Sequence, residues 1–229
     1  MSSSSMNASP VAPSRLLRPY AGVGAAIGWF AIALRFYLMF VTRLANGSSL
    51  IGGVIMLLSF YTILTNVLVA SALSLQVLGR DTRAARYFSR PSVATGIAAS
   101  IVLVDIAYSL LLRHLWNPQG LHLLADSLLH DIMPLIYLAY WWRFVAIGRF
   151  ALSELLRWAI YPLCYFIYAL ARGAIFGLYP YPFLDVGQLG YPRVLLNAIV
   201  ILLGFVVISL LLIGLDRLKS GRVRGIDPA

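Results

Sequence analysis

Six long apolar runs dominate the chain, near residues 20–42, 50–78, 92–113, 121–144, 155–177 and 191–215. Each is long enough to cross a hydrocarbon core of about 30 Å as a helix, which takes about 20 residues. An open strand in lipid would leave its backbone groups unpaired, and the ten-residue alternation of a closed barrel is absent. The expected fold is therefore all-α, a polytopic membrane protein with six transmembrane helices. Composition supports the same conclusion: 11% of the 229 residues are charged and 61% are hydrophobic. A soluble domain carries about 25% charged residues, so a water-soluble enzyme is excluded. A disordered chain is excluded too, since such chains are rich in charge and poor in aromatics.

Residues 1–19 hold four consecutive serines and Pro10, Pro13 and Pro19, and read as a disordered tail. Residues 20–215 form the transmembrane domain, and residues 216–229 form a basic tail. The net charge of +10 follows the topology. Thirteen of the 18 basic residues lie in alternate connections: Arg15 and Arg18; Arg80, Arg83, Arg86 and Arg90; Arg143, Arg149 and Arg157; and Arg217, Lys219, Arg222 and Arg224. The other three loops hold only Arg43, Arg113 and Arg193. This bias predicts that both termini are cytoplasmic. The same scatter over loops speaks against nucleic acid, which needs basic residues on one face.

Polar groups inside a span are costly and mark candidate sites. Counting inward from the outer helix ends places Arg35, Thr62, Asp105, His130 and Arg172 in one layer of the outer half. Helical spacing puts Asp126, His130, Pro134, Tyr137 and Trp141 on one stripe, with Asp131 about 100° away. Ser59, Thr62 and Asn66 share a face of the second helix, with Thr65 at its margin. Tyr161, Tyr165, Tyr168 and Arg172 form a stripe on the fifth. The simplest arrangement turns these stripes toward one polar pocket. Pro134 removes a backbone bond to residue 130 and is expected to kink the fourth helix there. The segment from Tyr179 to Asp185 alternates proline with aromatic residues and suits a stiff interfacial lid.

This layer offers several chemistries. His130 can serve as a base toward a hydroxyl nucleophile, with Asp105 or Asp126 orienting the imidazole. The competing reading has Thr62 bonding its own helix and His130 making an interhelical hydrogen bond. Arg35 and Arg172 can bind a carboxylate or phosphate, or pair with Asp105, Asp131 or Asp185. His122, Asp126 and His130 share a face, but one helix rarely supplies a whole metal site, so no metal is expected. The single cysteine, Cys164, allows no intramolecular disulfide and no thiolate cluster. Neither a dinucleotide glycine motif, a phosphate-binding loop nor a nucleophile elbow is present.

Three stretches, Phe60–Asn66, Leu129–Pro134 and Tyr179–Asp185, resemble the bacterial "Pr-six-Pr" family of membrane proteins. The resemblance extends to the eukaryotic androgen-induced membrane proteins, which are intramembrane threonine hydrolases. It implies a bacterial cytoplasmic (inner) membrane protein that cleaves fatty acid esters of hydroxy fatty acids. It also implies Thr62 as nucleophile and His130 as general base, with no cofactor. Thr65 remains a rival nucleophile. Arg35, Asn66, Asp105, Asp126, Tyr168 and Arg172 are the candidates for binding or orienting the lipid substrate. The alternative is a small transporter or lipid-binding protein using the same polar layer. The absence of a convincing internal repeat speaks against the transporter.

Overall fold

The computed structural model describes residues 15–79, 82–148 and 150–224, with side chains as far as Lys219. Most of the proposed N-terminal tail, Arg80, Arg149 and the last five residues lie outside the described residues, as do the side chains of Arg222 and Arg224. The described chain is helical throughout, with no strand among the described residues. The helices are α1 (Leu17–Ala45), α2 (Leu50–Leu57), α3 (Tyr61–Leu78), α4 (Arg83–Phe88), α5 (Pro91–Ala107), α6 (Leu121–Ser127), α7 (Met133–Phe144), α8 (Glu154–Phe176) and α9 (Val186–Arg224). Among the described residues, six helical stretches are long and apolar enough to cross a membrane. The protein is thus an all-α polytopic membrane protein, and an even number of crossings brings both ends of the described chain to one face.

Four spans depart from the simple helices that the apolar runs predict. The second run divides into α2 and α3 around Leu58, Ser59 and Phe60. The third and fourth spans each contain a π turn, Tyr108–Leu112 after α5 and Leu128–Ile132 between α6 and α7. The sixth is interrupted at Gly190, whose φ of 71° suits a residue without a side chain. Pro192 follows two residues later, and α9 then runs on to Arg224 rather than ending at 215.

Helix α5 lies at the centre, against α3, α7, α8 and α9. Its Ala94, Thr95, Ala98, Ala99 and Ser100 are all buried, and small side chains let four neighbours approach. Lipid tails are as apolar as leucine, so packing rather than hydrophobic transfer holds spans together. Helix α1 packs against α3 and α7 through Ala21, Gly24, Ala25, Gly28 and Ala31. A Cβ on Gly28 would come within 2.8 Å of Met133 Cε and 3.1 Å of Ala70 Cβ. At the other end of the bundle, Trp141 Nε1 donates to Thr95 Oγ1 at 2.7 Å. Lys219 donates to the Val145 carbonyl at 2.9 Å, and Asp216 accepts from the Gly148 N–H at 3.1 Å. These contacts leave the polar layer near the opposite face free to form cavities.

Candidate intramembrane site

The break between α2 and α3 creates the first wall of the site. Ser59 Oγ bonds back to the Ile55 carbonyl at 2.6 Å, and the Ser59 and Phe60 N–H groups bond three residues back. These short-range bonds end α2. Phe60 is extended (φ −83°, ψ 130°), so the chain turns and α3 starts at Tyr61. The tyrosine stripe of α8 satisfies the polar groups this exposes. Tyr165 Oη donates to the Ser59 carbonyl at 2.9 Å, and Tyr168 Oη donates to Ser59 Oγ at 3.3 Å. Tyr161 Oη pairs with Thr65 Oγ1 at 3.0 Å.

Thr62 therefore sits in the first turn of a helix that begins inside the span. The first N–H groups of a helix have no partner within it and carry partial positive charge. Tyr181, reaching in from the 179–185 loop, answers one of them. The Thr62 N–H donates to Tyr181 Oη at 3.3 Å, and Thr62 Oγ1 lies 3.4 Å from the same phenol. Tyr181 is buried, and this pushes its phenol pKa up. The phenol is thus a neutral hydroxyl that can both accept and donate.

The π turn at Leu128–Ile132 builds the second wall. The Met133 N–H bonds to the Leu128 carbonyl, five residues back. The Leu129 carbonyl would next take the N–H of residue 134, which is proline and has none. Asn66 supplies the missing donor: its Nδ2 reaches the Leu129 carbonyl at 3.1 Å and the Thr62 carbonyl at 2.9 Å. Pro134 acts through this π turn, and Asn66 ties the two walls together. π turns recur at functional sites because they re-aim side chains.

Here two π turns face each other. Tyr108 opens one and His130 lies in the other, and their rings stack with centroids 3.8 Å apart and planes 15° apart. His130 Nδ1 lies 3.0 Å from the Asp126 carbonyl and 3.3 Å from Asp126 Oδ1. Both are acceptors, so Nδ1 carries the proton and Nε2 keeps its lone pair. Tyr108 Oη donates to Asp126 Oδ2. One buried carboxylate thereby fixes both rings.

Thr62, His130, Asp126 and Arg35 line one cavity of about 250 Å³, together with Tyr108 and Tyr181. The Arg35 guanidinium lies over the Trp116 ring at 5.7 Å. It has no hydrogen-bond or ion-pair partner among the described residues. A second cavity of about 340 Å³ lies between α5, α8 and α9, and its lining is apolar. The two cavities share Thr62, Tyr108, Leu112 and Tyr181. The 179–185 loop covers both, through Pro180 and Pro182 on one side and Phe183 and Leu184 on the other. Asn197 holds this loop by donating to the Phe183 carbonyl at 2.9 Å.

Other sequence candidates lie elsewhere, so the single pocket ringed by every stripe is not what forms. Asp105 lines neither cavity. It lies beside Ser109 near the Arg113–Asp131 ion pair, so Asp126 alone backs the imidazole. Arg172 is buried and donates to the Leu178 carbonyl, where it holds the start of the loop instead of a ligand. Tyr168 and Thr65 are occupied at the helix break, outside both cavities. Asn66 supports the walls without lining either. No group of three His, Cys, Asp or Glu side chains among the described residues is placed to hold a metal ion. Sequence reasoning missed Tyr108, Trp116 and the inward reach of the Tyr181 phenol. The proline–aromatic alternation marked the loop, but nothing in it says which ring enters.

The fold and cavities define a multi-pass α-helical membrane protein with a buried polar chamber opening onto an apolar one. No family model matches the chain, no curated protein matches it, and no solved structure matches it.

Proposed function

We propose that this protein is a lipid-ester hydrolase of the bacterial inner membrane, using Thr62 as nucleophile and His130 as general base. The observation that carries the reading is that Thr62 and His130 line the same 250 Å³ cavity, with Asp126 behind the imidazole. The resemblance of the Thr62, His130 and Tyr179–Asp185 segments to intramembrane threonine hydrolases supports it and suggests fatty acid esters of hydroxy fatty acids as substrates. Thr65 is the weaker nucleophile candidate because its hydroxyl is engaged by Tyr161 away from the cavity.

In this mechanism His130 Nε2 takes the Thr62 hydroxyl proton as Oγ1 attacks the ester carbonyl carbon. The carbonyl C–O bond to the alcohol then breaks, and the imidazolium returns its proton to the departing alkoxide. A water molecule next attacks the acyl-threonine and gives its proton to His130. The acid leaves, and the proton returns to Thr62. Asp126 keeps the imidazole in the tautomer with Nε2 free and stabilises its charged form. The Tyr181 hydroxyl, beside Thr62 Oγ1, is the donor this mechanism assigns to the oxygen that becomes negative. Arg35 offers its donors to a substrate carboxylate within the same chamber.

The test is hydrolysis of a branched fatty ester by purified protein. Thr62→Ala and His130→Ala are each expected to lower the rate about 10²–10⁴-fold, the usual worth of a positioned base or nucleophile. A lipid-like fluorophosphonate should label Thr62. Retained activity in both variants would refute the assignment, and an adduct on Thr65 would move the nucleophile. One observation favours a second reading: Thr62 Oγ1 bonds Tyr181, with no hydrogen bond to His130. On that reading the chamber holds or moves a lipid without cleaving it. Substrate flux in liposomes without product would support that role.

A further inference from the structure

The 340 Å³ cavity has a direction. On α9 its lining runs from Leu195 to Phe205, on α5 from Leu112 back to Leu103, and on α8 from Phe166 back to Pro162. Chain order puts Leu103, Pro162 and Phe205 together at the end farthest from the 179–185 loop. Thr62, Tyr108 and Tyr181 of its lining also line the polar chamber at the opposite end, whereas Tyr61 and Tyr165 line this cavity alone. Leu163, Leu195 and Ile199 line the cavity and are also exposed on the outside of the helices. Those positions face lipid, so the cavity opens sideways between α8 and α9.

We propose that this cavity is the binding site for one unbranched alkyl chain, entering from the bilayer between α8 and α9. The chain lies lengthwise along α9, with its oxygen-bearing end at Thr62, Tyr108 and Tyr181 and its tip at Phe205. The helix rise sets the length. From Leu195 to Phe205 is about 15 Å at 1.5 Å per residue. An extended chain advances about 1.3 Å per carbon for bonds near 1.52 Å, so about 12 carbons fit. A chain leaving lipid gains little from hydrophobic transfer. Selectivity therefore comes from fit against Phe205 and from the polar junction. The group at the junction rests on the lipid-ester reading above, whereas the chain site does not.

The experiment uses the purified protein in lipid nanodiscs and an uncleavable dodecyl ether carrying a photoreactive diazirine. The diazirine sits either beside the head group or at about the eleventh carbon, the length estimated from the helix rise. The distal probe should label Leu103, Pro162 or Phe205, and the proximal probe Tyr108, Leu112 or Leu184. Ala198→Phe and, as a second variant, Leu202→Trp fill the middle of the cavity and should cut distal labelling about tenfold, the scale of overpacking. Distal label confined to lipid-facing residues such as Leu203 and Leu210, or undiminished in both filled variants, would overturn the chain site. The expected labelling without ester cleavage by the wild type would overturn only the hydrolase reading. Cleavage with scattered labels would overturn only the chain site.

Discussion

Asn66 offers the sharpest test of how the two walls are joined. It is fully buried, and its amide donates to the Thr62 and Leu129 carbonyls. Asn66→Leu keeps the branch at Cγ, adds some volume and removes both donors. The Thr62 carbonyl still lies within α3 and keeps its helical partner. The Leu129 carbonyl does not, because the Met133 N–H is taken by Leu128 and Pro134 has none. An unsatisfied buried acceptor costs about 1–3 kcal/mol. Interhelical hydrogen bonds in membranes average about 0.6 kcal/mol and reach about 1.7. Asn66 Oδ1 itself lacks a partner, and its loss returns part of the cost. The expected net destabilisation is about 1–1.5 kcal/mol, or roughly 2–6 °C in melting temperature at the scale for chains of this size. Thermal unfolding in detergent, followed by circular dichroism, measures it.

A double-mutant cycle makes the test specific. Pro134→Ala restores an N–H five residues after Leu129, in register with the π turn. In that background Asn66→Leu should cost less by at least about 0.5 kcal/mol, the smallest coupling expected of residues sharing a partner. Equal costs in both backgrounds would refute the argument that Asn66 replaces the missing proline donor. A cost below about 0.3 kcal/mol in the wild type would refute it too, since additive noise is of that size.

Gly173→Ala should disturb the loop from the α8 side. A Cβ there would lie 1.9 Å from Tyr179 Cε1, so the ring must move, at about 1–3 kcal/mol. Faster limited proteolysis within 178–185 is the readout. Tyr181→Phe removes the hydroxyl at Thr62 and is expected to lower ester hydrolysis about 10²-fold, the scale of one lost oxyanion donor, and to lower the melting temperature as well, because the Thr62 N–H loses its acceptor. Asp126→Asn leaves the packing in place but removes the charge behind His130. Hydrolysis should fall by up to about 10⁴-fold, as for other triad carboxylates, while melting shifts little. Gly28→Ile forces α1 away from Ala70 and Met133, so loss of the folded monomer peak in size-exclusion chromatography is expected.

The six crossings and the exclusion of a soluble fold were legible in the sequence because lipid imposes one rule on every residue. Spans must be long, apolar and helical, and that rule needs no partner to act. Depth along a span can be counted for the same reason, since a helix rises by a fixed amount per residue. Depth counting grouped Arg35, Thr62, Asp105, His130 and Arg172, and of these Arg35, Thr62 and His130 share a cavity. Facing was not legible. It depends on local insertions that periodicity averages over: two π turns and one broken helix. These turn Tyr108 toward His130 and stop α2 before Thr62. Asp105 and Arg172 belong to the same counted layer, yet one sits beside Ser109 and the other binds the loop backbone.

By itself, then, the sequence determined the solvent this protein folds in, the number of its spans and the short supply of polar groups within them. Only the tertiary structure decided which polar groups meet. A helix break satisfied by tyrosines from α8, and a proline-vacated carbonyl satisfied by Asn66 from α3, are agreements between segments far apart in the chain. Each half is unstable alone in lipid, where an unpaired backbone group has no water to turn to. The chamber exists because the other half arrives.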